Sequence, residues 1–224
     1  MTENKLVNAD VAYRGDLAES YDRDRVKEPI WDFEHNYVKT ILKPFANSGV
    51  KILDVPFGTG RFAPIYDDYA ISVLGIDISE AMLNQARGTY PSLKDNWELQ
   101  VGSSTNLSIP DKSVDVVLCF RLFHLLSPLD VQKSVAEFKR VARKEIIVHY
   151  FNLHKNRPSV FSRAILTFRR MLSNPETPWK HIKNHEHYRS DALALFKREG
   201  LEVVQETFIE DDVNKVTVFE LSVK

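Results

Sequence analysis

The sequence predicts an α/β fold with a mostly parallel β-sheet, and three observations support this fold class. From Lys51 onward, short β-branched runs alternate with helical patterns, as strands and crossover helices do in a parallel sheet. The 224 residues suit one domain, and 43% of them are hydrophobic, which is sufficient for one packed interior. The last two strand-like runs are separated only by residues 211–214, which predicts a terminal antiparallel hairpin. We therefore expect a single domain over residues 1–224.

The predicted strands share short length, β-branched residues and flanking turn residues, and they lie at 51–55, 71–77, 97–102, 113–120, 144–151, 201–210 and 215–224. The fourth strand, 113–120, has an unbroken apolar centre. Such a centre is typical of a strand that is covered on both faces.

The predicted helices have recognisable start and stop residues. One helix begins near Arg61, and three others cover residues 79–87, 129–143 and 191–199. Ser79 supplies an N-cap, Pro128 precedes a helix with one apolar stripe, and Gly200 ends the last helix. A helical N-terminal arm, residues 10–46, precedes the first strand. The stretch 152–190 is too long for a plain loop between a strand and a helix, so it predicts an insert.

Composition and charge exclude several classes of protein. Lys and Arg number 30 against 31 Asp and Glu, so the net charge of −1 gives no indication of a nucleic-acid partner. Cys119 is the only cysteine, which excludes a disulfide within the chain and a cysteine-based zinc site, and it is predicted to be a small buried hydrophobe. The sequence shows neither a signal peptide nor an apolar run near the roughly 18 residues that span a bilayer. We therefore expect a cytoplasmic protein without a membrane span.

The decisive segment is the first predicted strand with the turn that follows it, ILDVPFGTGRF at 52–62. The strand ends in Asp54, and the turn contains Gly58 and Gly60, which permit positive φ angles and close approach to a ligand. In an open parallel sheet, ligands bind beyond the carboxyl ends of the strands, where this turn lies. A carboxylate directly before the turn repels phosphate and attracts an ammonium group, so the pattern favours S-adenosylmethionine over a dinucleotide. An ordinary connection between strand and helix is the alternative.

A second acidic residue points to the same kind of ligand. Asp77 ends the second predicted strand, 23 residues beyond Asp54. A carboxylate at this place accepts hydrogen bonds from both hydroxyls of a ribose. The alternative is a helix N-cap or a solvated strand end.

Four segments, ILDVPFGTGRF, LGIDIS, GSSTNLSIPDKSVDVVLCF and RLFHLL, occur in this order within residues 51–150. On these segments the sequence resembles the class I S-adenosylmethionine-dependent methyltransferases, particularly the group similar to ubiquinone and menaquinone biosynthesis methyltransferases. The resemblance implies a Rossmann-like seven-stranded sheet of order 3-2-1-4-5-7-6 with strand 7 antiparallel, an N-terminal helical arm and a helical insert after strand 5. It also implies S-adenosylmethionine as cofactor, S-adenosylhomocysteine as product and a small-molecule methyl acceptor.

Carried over residue by residue, the resemblance assigns Asp54, Gly58 and Gly60 to the methionine portion of the cofactor, and Asp77 to its ribose. The other implied contacts concern the adenine and the methyl donor, and they are Ile78 and Met82 on the adenine face, Ser103 and Ser104 near its amino group, and Phe120 and Arg121 beside the donor. In the N-terminal arm, the segment AESYDRDR resembles the family's helix that closes over the cofactor. It implies that Tyr21 reaches the donor and Arg25 pairs with a carboxylate; a surface helix with solvated charges is the alternative.

The sequence departs from the family pattern at two places. Pro56 stands where the first glycine of the turn is usual, and a proline removes the N–H of that position and fixes φ near −65°. Ser103 and Ser104 stand where an aspartate often follows the glycine, so the adenine loses a charged acceptor. We expect cofactor binding to survive both changes, because Gly58 and Gly60 remain.

Three histidines are candidate general bases because they lie near the carboxyl edge of the predicted sheet. His124 follows the fourth strand, whereas His149 and His154 flank the end of the fifth. Each of them has a structural alternative, as a packed or hydrogen-bonded side chain.

The insert at 152–190 carries eight Lys or Arg residues against two acidic ones. Inserts at this place commonly cover the acceptor site in the family. We therefore predict an acidic acceptor, with carboxylate or phosphate groups, and the candidate ligands of those groups are Arg163, Arg169, Arg170 and His181. The alternative is a helical face whose charges only meet water.

Other functions remain as competing hypotheses. The histidines at 181, 185 and 187 lack a regular ligand spacing, so no metal is expected. RLFH at 121–124 replaces the Asn-Pro-Pro-aromatic type of sequence found in base-modifying relatives, so no nucleic-acid substrate is expected. A catalytically silent S-adenosylmethionine-binding protein and a nucleotide-dependent oxidoreductase are the two alternatives. The oligomeric state is not predicted.

Overall fold

The structure is a computed structural model that describes residues 28–90, 97–155, 184–210 and 215–224. Several predicted site residues lie outside these described residues, namely Tyr21, Arg25, Arg163, Arg169, Arg170 and His181. The described part contains the turn, both predicted acidic residues and all three candidate bases.

The helices within the described ranges are α1 (Pro29–Leu42), α2 (Ala63–Asp68), α3 (Glu80–Thr89), α4 (Pro128–Val141) and α5 (Arg189–Arg198). Two 3₁₀ turns, Lys43–Phe45 and Phe123–Leu125, accompany them. The strands are β1 (Lys51–Asp54), β2 (Ser72–Asp77), β3 (Trp97–Val101), β4 (Val114–Cys119), β5 (Ala142–Phe151), β6 (Glu202–Glu210) and β7 (Lys215–Ser222).

The strands form one seven-stranded sheet of order β3-β2-β1-β4-β5-β7-β6. All pairs from β3 to β5 are parallel, whereas β7 is antiparallel to both β5 and β6. The Rossmann-like fold and strand order predicted from the sequence are confirmed. Because β1, β2, β4 and β5 are parallel, their carboxyl ends lie along one edge of the sheet.

Hydrophobic side chains pack on both faces of the sheet. Val117 and Cys119 belong to the cluster on one face, and Val116 and Leu118 belong to the cluster on the other. All four are fully buried, as predicted for a strand covered on both sides. Among the described helices, none has the length and hydrophobicity needed to cross a bilayer.

Some predicted boundaries were wrong by about two residues. The predicted helix 129–143 ends at Val141, and β5 begins at Ala142 rather than at 144 because Ala142 has an extended backbone and pairs with Val114. Helix α2 begins at Ala63 rather than at Arg61, since the glycine turn occupies the residues before it. Helix α1 agrees with the helical character predicted for the arm 10–46, of which residues 10–27 lie outside the described ranges.

Candidate functional site

The site is built at the carboxyl edge of the sheet, where β1, β2 and β4 end side by side. Asp54 is the last residue of β1 and pairs with Gly75 of β2 and Leu118 of β4. Asp77 is the last residue of β2. Because β1 is held between two parallel neighbours, the turn that follows it has a rigid starting point.

Backbone hydrogen bonds inside the structure hold the turn 55–60. The amide of Val55 donates to Leu118 O at 3.0 Å, and the amide of Phe57 donates to Ile76 O at 2.9 Å. The amide of Gly58 donates to Asp77 Oδ2 at 2.8 Å. The peptide bond between Val55 and Pro56 is cis. The turn is thus attached to the ends of both neighbouring strands.

The two glycines of the turn serve different purposes. Gly58 has φ of 58°, and a Cβ at this residue would meet open space, so its backbone angle is the constraint. Gly60 has φ of 81°, and a Cβ there would lie 3.3 Å from a ring atom of Phe57 and 3.4 Å from Ala86. Gly60 does not line the pocket in the described part of the chain. Gly60 packs closely against α3, and its contact with the cofactor stays a prediction.

Asp54 is a buried carboxylate with one side-chain hydrogen bond among the described residues. Its Oδ2 accepts a hydrogen bond from the hydroxyl of Tyr66 at 2.8 Å. Burial raises the pKa of Asp54 to about 7; the bond from Tyr66 opposes this rise, and the charge of Asp77 adds to it. Such a carboxylate is costly to ionise in the ligand-free protein, and a cation beside it would remove this cost.

The carboxylate of Asp77 links the turn to the start of α3. Oδ1 accepts from the amide of Ser79 at 2.8 Å, and Oδ2 accepts from the amide of Gly58. Burial raises the pKa of Asp77, while these backbone N–H groups act in the opposite direction. Each carboxylate oxygen has two lone pairs, so Asp77 retains acceptor capacity for further hydroxyl groups.

Two adjoining cavities open at this edge of the sheet. The first has a volume of about 110 Å³, which is below the range of about 300–1,000 Å³ for ligand pockets, and the second has about 460 Å³, which lies within that range. The first cavity brings together eight predicted cofactor residues: Asp54, Pro56, Gly58, Asp77, Ile78, Met82, Phe120 and Arg121. The second cavity shares Pro56, Asp77 and Ile78 with the first and is also lined by Ser103 and Ser104. The cavity predicted to hold the adenine of the cofactor therefore adjoins the cavity predicted to hold its methionine portion.

The two serines of the second cavity are not equivalent. The hydroxyl of Ser104 is buried and shares a hydrogen bond with that of Ser134 at 2.9 Å. The hydroxyl of Ser103 lies 2.9 Å from that of Thr105 in a partly exposed position. Ser103 is consequently the more accessible of the pair.

A buried ionic cluster that the sequence analysis missed lies behind the first cavity. Glu34 of α1 is fully buried, and its carboxylate accepts hydrogen bonds from Arg61 Nη1 at 2.5 Å and from Arg121 Nε at 2.8 Å. Arg121 Nη1 also donates to Glu28 at 2.7 Å. Both arginines line the first cavity. We refer to Glu28, Glu34, Arg61, Arg121 and His149 as the ionic cluster.

Opposing influences act on the carboxyl of Glu34. Burial alone raises its pKa, but the hydrogen bond from His149 and the charges of Arg121 and Arg61 hold the pKa well below its usual range. Glu34 therefore favours the ionised form.

His149 belongs to this cluster and is fully buried. Its Nδ1 accepts a hydrogen bond from the backbone amide of Arg121 at 3.3 Å, so the proton of the neutral ring resides on Nε2. Nε2 lies 2.9 Å from Glu34 Oε1 and donates to it. Both ring nitrogens of His149 are thus hydrogen-bonded within the protein. Neither nitrogen is directed at a methyl acceptor in this arrangement.

The other two candidate bases also lie away from the first cavity. His124 is partly buried, its ring lies 5.5 Å from that of Phe151, and its carbonyl accepts from the amide of His185 at 2.7 Å. His154 is exposed and exchanges backbone hydrogen bonds with His187 and Arg189. Among the described residues, the walls of the first cavity include none of the three histidines. The structure thus does not bring the predicted bases together.

Two signals in the sequence pointed to the missed residues. Ile30, Glu34, Val38 and Leu42 are spaced by four along α1, so Glu34 is a charged residue in the buried stripe of a helix. A buried charge requires a partner, and Arg61 directly follows the last glycine of the turn. The partners themselves, 27 and 87 residues away from Glu34, follow only from the tertiary fold.

The region that forms the site also matches known proteins. Residues 52–145 match the family model of a methyltransferase domain. An uncharacterised methyltransferase-like protein of Schizosaccharomyces pombe is 31% identical over 85 residues, which are 38% of this chain and 32% of that protein. A ubiquinone/menaquinone biosynthesis C-methyltransferase of Campylobacter jejuni is 26% identical over 135 residues, which are 57% of this chain and 55% of that protein. The chain thus spans about a third to about half the length of these relatives.

A solved structure shares the fold over nearly the whole chain. The magnesium protoporphyrin IX methyltransferase of Synechocystis PCC 6803 with bound SAH has a TM-score of 0.73 and covers 96% of this chain and 97% of its own. The two sequences are 14% identical. At this identity the likeness shows the fold alone.

Proposed function

We propose that this chain, a member of the class I S-adenosylmethionine-dependent methyltransferases as its sequence predicts, transfers a methyl group from S-adenosylmethionine to a small-molecule acceptor. One observation carries the proposal. The first cavity joins the buried carboxylate of Asp54, which has a single side-chain donor among the described residues, to Asp77 and to two arginines. This combination suits a ligand with an ammonium group, a carboxylate and a ribose.

The turn is poorly suited to the diphosphate of a dinucleotide. Pro56 has no N–H, and the amides of Phe57, Gly58 and Gly60 already donate to Ile76 O, to Asp77 and to Phe57 O. A diphosphate requires free N–H groups at such a turn, and the nearby carboxylates would repel it. This arrangement disfavours the oxidoreductase alternative.

The two ends of the cofactor's amino acid group have separate partners in the first cavity. Asp54 would hold the ammonium group, which would also offset the cost of its burial. Arg61 and Arg121 are the cationic side chains among the described lining residues, so they would hold the carboxylate. The resemblance gave such a role to Arg25, which lies outside the described residues, and that assignment stays a prediction beside this one.

The ribose and adenine would occupy the junction of the two cavities. Asp77 would accept hydrogen bonds from the ribose hydroxyls, and Met82 would pack on the adenine. Ile78 is 52% exposed, which is unusual for an isoleucine, and an adenine ring would cover it. Ser103 would be the acceptor for the adenine amino group.

The chain contributes to the reaction mainly by positioning. When bound, S-adenosylmethionine supplies an electrophilic methyl group on a sulfonium. Phe62 and Phe120, whose ring centroids are 5.5 Å apart, would exclude water beside it. Alignment of donor and acceptor contributes about 7–11 kcal/mol to such a displacement, whereas a general base adds about 10²–10⁴-fold. The three histidines therefore remain predicted bases, and His149 is the one whose two ring nitrogens are hydrogen-bonded to Glu34 and to the amide of Arg121.

The acceptor is proposed to be a small acidic molecule, with methyl transfer to O, N or C. The support for this is the excess of basic residues between 152 and 190 in the sequence, with Arg163, Arg169, Arg170 and His181 as candidate ligands. Once an acceptor is known, replacement of both Arg169 and Arg170 by Ala should raise its KM with little change in kcat. An unchanged KM would contradict the acidic acceptor and leave the methyltransferase proposal intact.

Calorimetry tests the cofactor assignment. The protein should bind S-adenosylhomocysteine and not NAD, and Asp54→Asn should weaken binding by about tenfold or more, because a charged hydrogen bond is lost. Asp111→Asn is the matched control, since Asp111 is 74% exposed and pairs with Arg140 away from the site. Binding of NAD in place of S-adenosylhomocysteine would overturn the assignment.

Turnover separates an enzyme from a silent binding protein. Incubation with methyl-labelled S-adenosylmethionine and a fractionated extract of small metabolites should transfer label to an acceptor. Binding of S-adenosylhomocysteine without transfer to any fraction would favour the silent alternative.

A further inference from the structure

We infer that Glu34 of helix α1 is a positioning residue for the cofactor, because it orients the two arginines that face the carboxylate end of the first cavity. The inference rests on the proposed function and extends it to a residue outside the matched region 52–145. Glu34 is absent from the walls of the cavity among the described residues, so it acts through Arg61 and Arg121.

Each carboxylate oxygen of Glu34 accepts two hydrogen bonds. Oε2 accepts from Arg61 Nη1 and Arg121 Nε, and Oε1 accepts from Arg121 Nε and His149 Nε2. Every one of these partners is a donor. The side chains of Arg61 and Arg121 are only 10% and 8% exposed, so neither guanidinium can easily leave for water.

Further contacts fix the planes of the two guanidinium groups. The Arg61 guanidinium carbon lies 3.6 Å from the centre of the Trp31 ring, and Arg61 Nη2 donates to Trp31 O. Arg121 Nη1 donates to Glu28 at 2.7 Å, and the Arg121 guanidinium carbon lies 5.6 Å from the centre of the Phe151 ring. Trp31 and Glu34 both belong to α1. Helix α1 therefore forms part of the support of the pocket, because it contacts both arginines.

A second effect of Glu34 has the opposite sign. Its charge partly neutralises the arginines, so its removal would strengthen their attraction for a carboxylate if they stayed in place. A glutamine, however, presents an NH₂ group to donors, and these buried arginines would have to turn to find other acceptors. Since a bidentate contact requires a defined guanidinium plane, we expect the loss of orientation to outweigh the gain in charge.

The test compares two ligands that differ only in the carboxylate. Kd values for S-adenosylmethionine and for decarboxylated S-adenosylmethionine are measured by calorimetry at one pH and salt concentration. The wild-type protein should prefer the carboxylate form by about tenfold or more. In Glu34→Gln this preference should fall below about threefold, while binding of the decarboxylated form changes little.

Glu206→Gln is the matched control, because Glu206 holds Arg189 through two hydrogen bonds of 2.5–2.6 Å away from the cavities. It should leave the preference as in the wild type. If Glu34→Gln does not fold, Glu34→Asp replaces it, since a shorter carboxylate keeps the charge and cannot reach both arginines.

The ratio of the two Kd values decides the matter. An unchanged or increased preference in the Glu34 variant overturns the inference, including the case in which both ligands weaken equally. A wild type that binds both ligands equally well overturns it too, and leaves the cofactor assignment standing. A wild type that binds neither ligand overturns the proposed function itself.

Discussion

Two buried carboxylates near the same cavity behave in opposite ways. Asp54 at the end of β1 and Glu34 on α1 are 2% and 0% exposed. Asp54 has the hydroxyl of Tyr66 as its side-chain donor, and burial raises its pKa to about 7. Burial also raises the pKa of Glu34, but His149, Arg121 and Arg61 more than reverse the effect.

The difference teaches that the donors around a buried carboxylate, more than the burial itself, set its state. Glu34 has three donor side chains within the protein, and its charge is compensated before any ligand arrives. Within the described part of the chain, Asp54 has one uncharged side-chain donor, and we propose that a cation bound in the cavity compensates its charge. The carboxylate of Glu34 is accordingly structural, whereas that of Asp54 is available to a ligand.

The largest expected effect comes from removal of the compensated carboxylate. Glu34→Ala should lower the free energy of unfolding by about 3–5 kcal/mol, because two buried arginines lose the carboxylate that they share. Urea denaturation at pH 7 measures this. Glu206→Ala, at a pair whose arginine is 40% exposed, should cost about 1 kcal/mol or less and serves as control. An equal decrease in the free energy of unfolding in the two variants would contradict the view that Glu34 contributes more to stability than an exposed ion pair does.

The pH dependence of cofactor binding is the next largest effect. Binding of an ammonium group requires ionised Asp54, so affinity for S-adenosylhomocysteine should rise by up to about tenfold per pH unit as pH approaches 7 and then level off. Calorimetry from pH 5.5 to 8 measures it. Asp54→Asn should abolish the rise. A flat profile in the wild-type protein would show that Asp54 is already ionised.

The ligand-free protein should show the matching effect on stability. A raised folded-state pKa means that Asp54 contributes stability below 3.8, and that this contribution is lost as the pH rises to about 7. Glu34 has a lowered pKa, so its contribution is present above 4.5 and is lost as the pH falls. Urea denaturation of the wild type and Asp54→Asn between pH 4 and 8 should therefore show the two curves diverging as the pH rises.

Removal of the single donor to Asp54 should have a smaller effect. Tyr66→Phe leaves Oδ2 without its hydrogen bond, so the pKa of Asp54 rises further and affinity for S-adenosylhomocysteine at pH 7 falls by about three- to tenfold. The pH at which binding levels off should move upward. Tyr69→Phe is the control, because its hydroxyl donates to Lys39 O at the surface. Loss of affinity without any change in the pH profile would show that Tyr66 does not act on binding through the pKa of Asp54.

The smallest effect is expected at an exposed carboxylate. Glu98 of β3 is 56% exposed and lies 3.4 Å from Lys51 Nζ. Glu98→Gln should change the free energy of unfolding by about 1 kcal/mol or less, because water screens such a pair. A large decrease in the free energy of unfolding, measured by urea denaturation, would mean that the exposure of a carboxylate does not determine how much its removal costs.

The sequence analysis predicted the strands and the cofactor turn well, because their signals are local. Asp54, Asp77 and the glycines lie within short segments whose order along the chain resembles one family. Eight of the predicted cofactor residues accordingly line one cavity. Gly60 was placed correctly in the turn, and its φ of 81°, together with a Cβ that would lie only 3.3 Å from Phe57, gives a reason for glycine there.

Contacts between distant segments were not predictable in the same way. His149 was predicted as a base from its place at the end of β5, but its ring is occupied by Glu34 and by the amide of Arg121. Neither partner is near it in sequence. Ser104 similarly bonds to Ser134 of α4, which no local pattern indicates.

The sequence by itself determined the α/β architecture, the turn after β1 and the acidic residues on either side of it, because periodicity, glycine and strand-end positions are properties of neighbouring residues. Only the tertiary structure decided which buried charges are compensated. That outcome depends on how α1, the turn and the ends of β4 and β5 converge, since a charge buried in a medium of low polarity is stabilised by the groups a few ångströms away, wherever they lie in the chain.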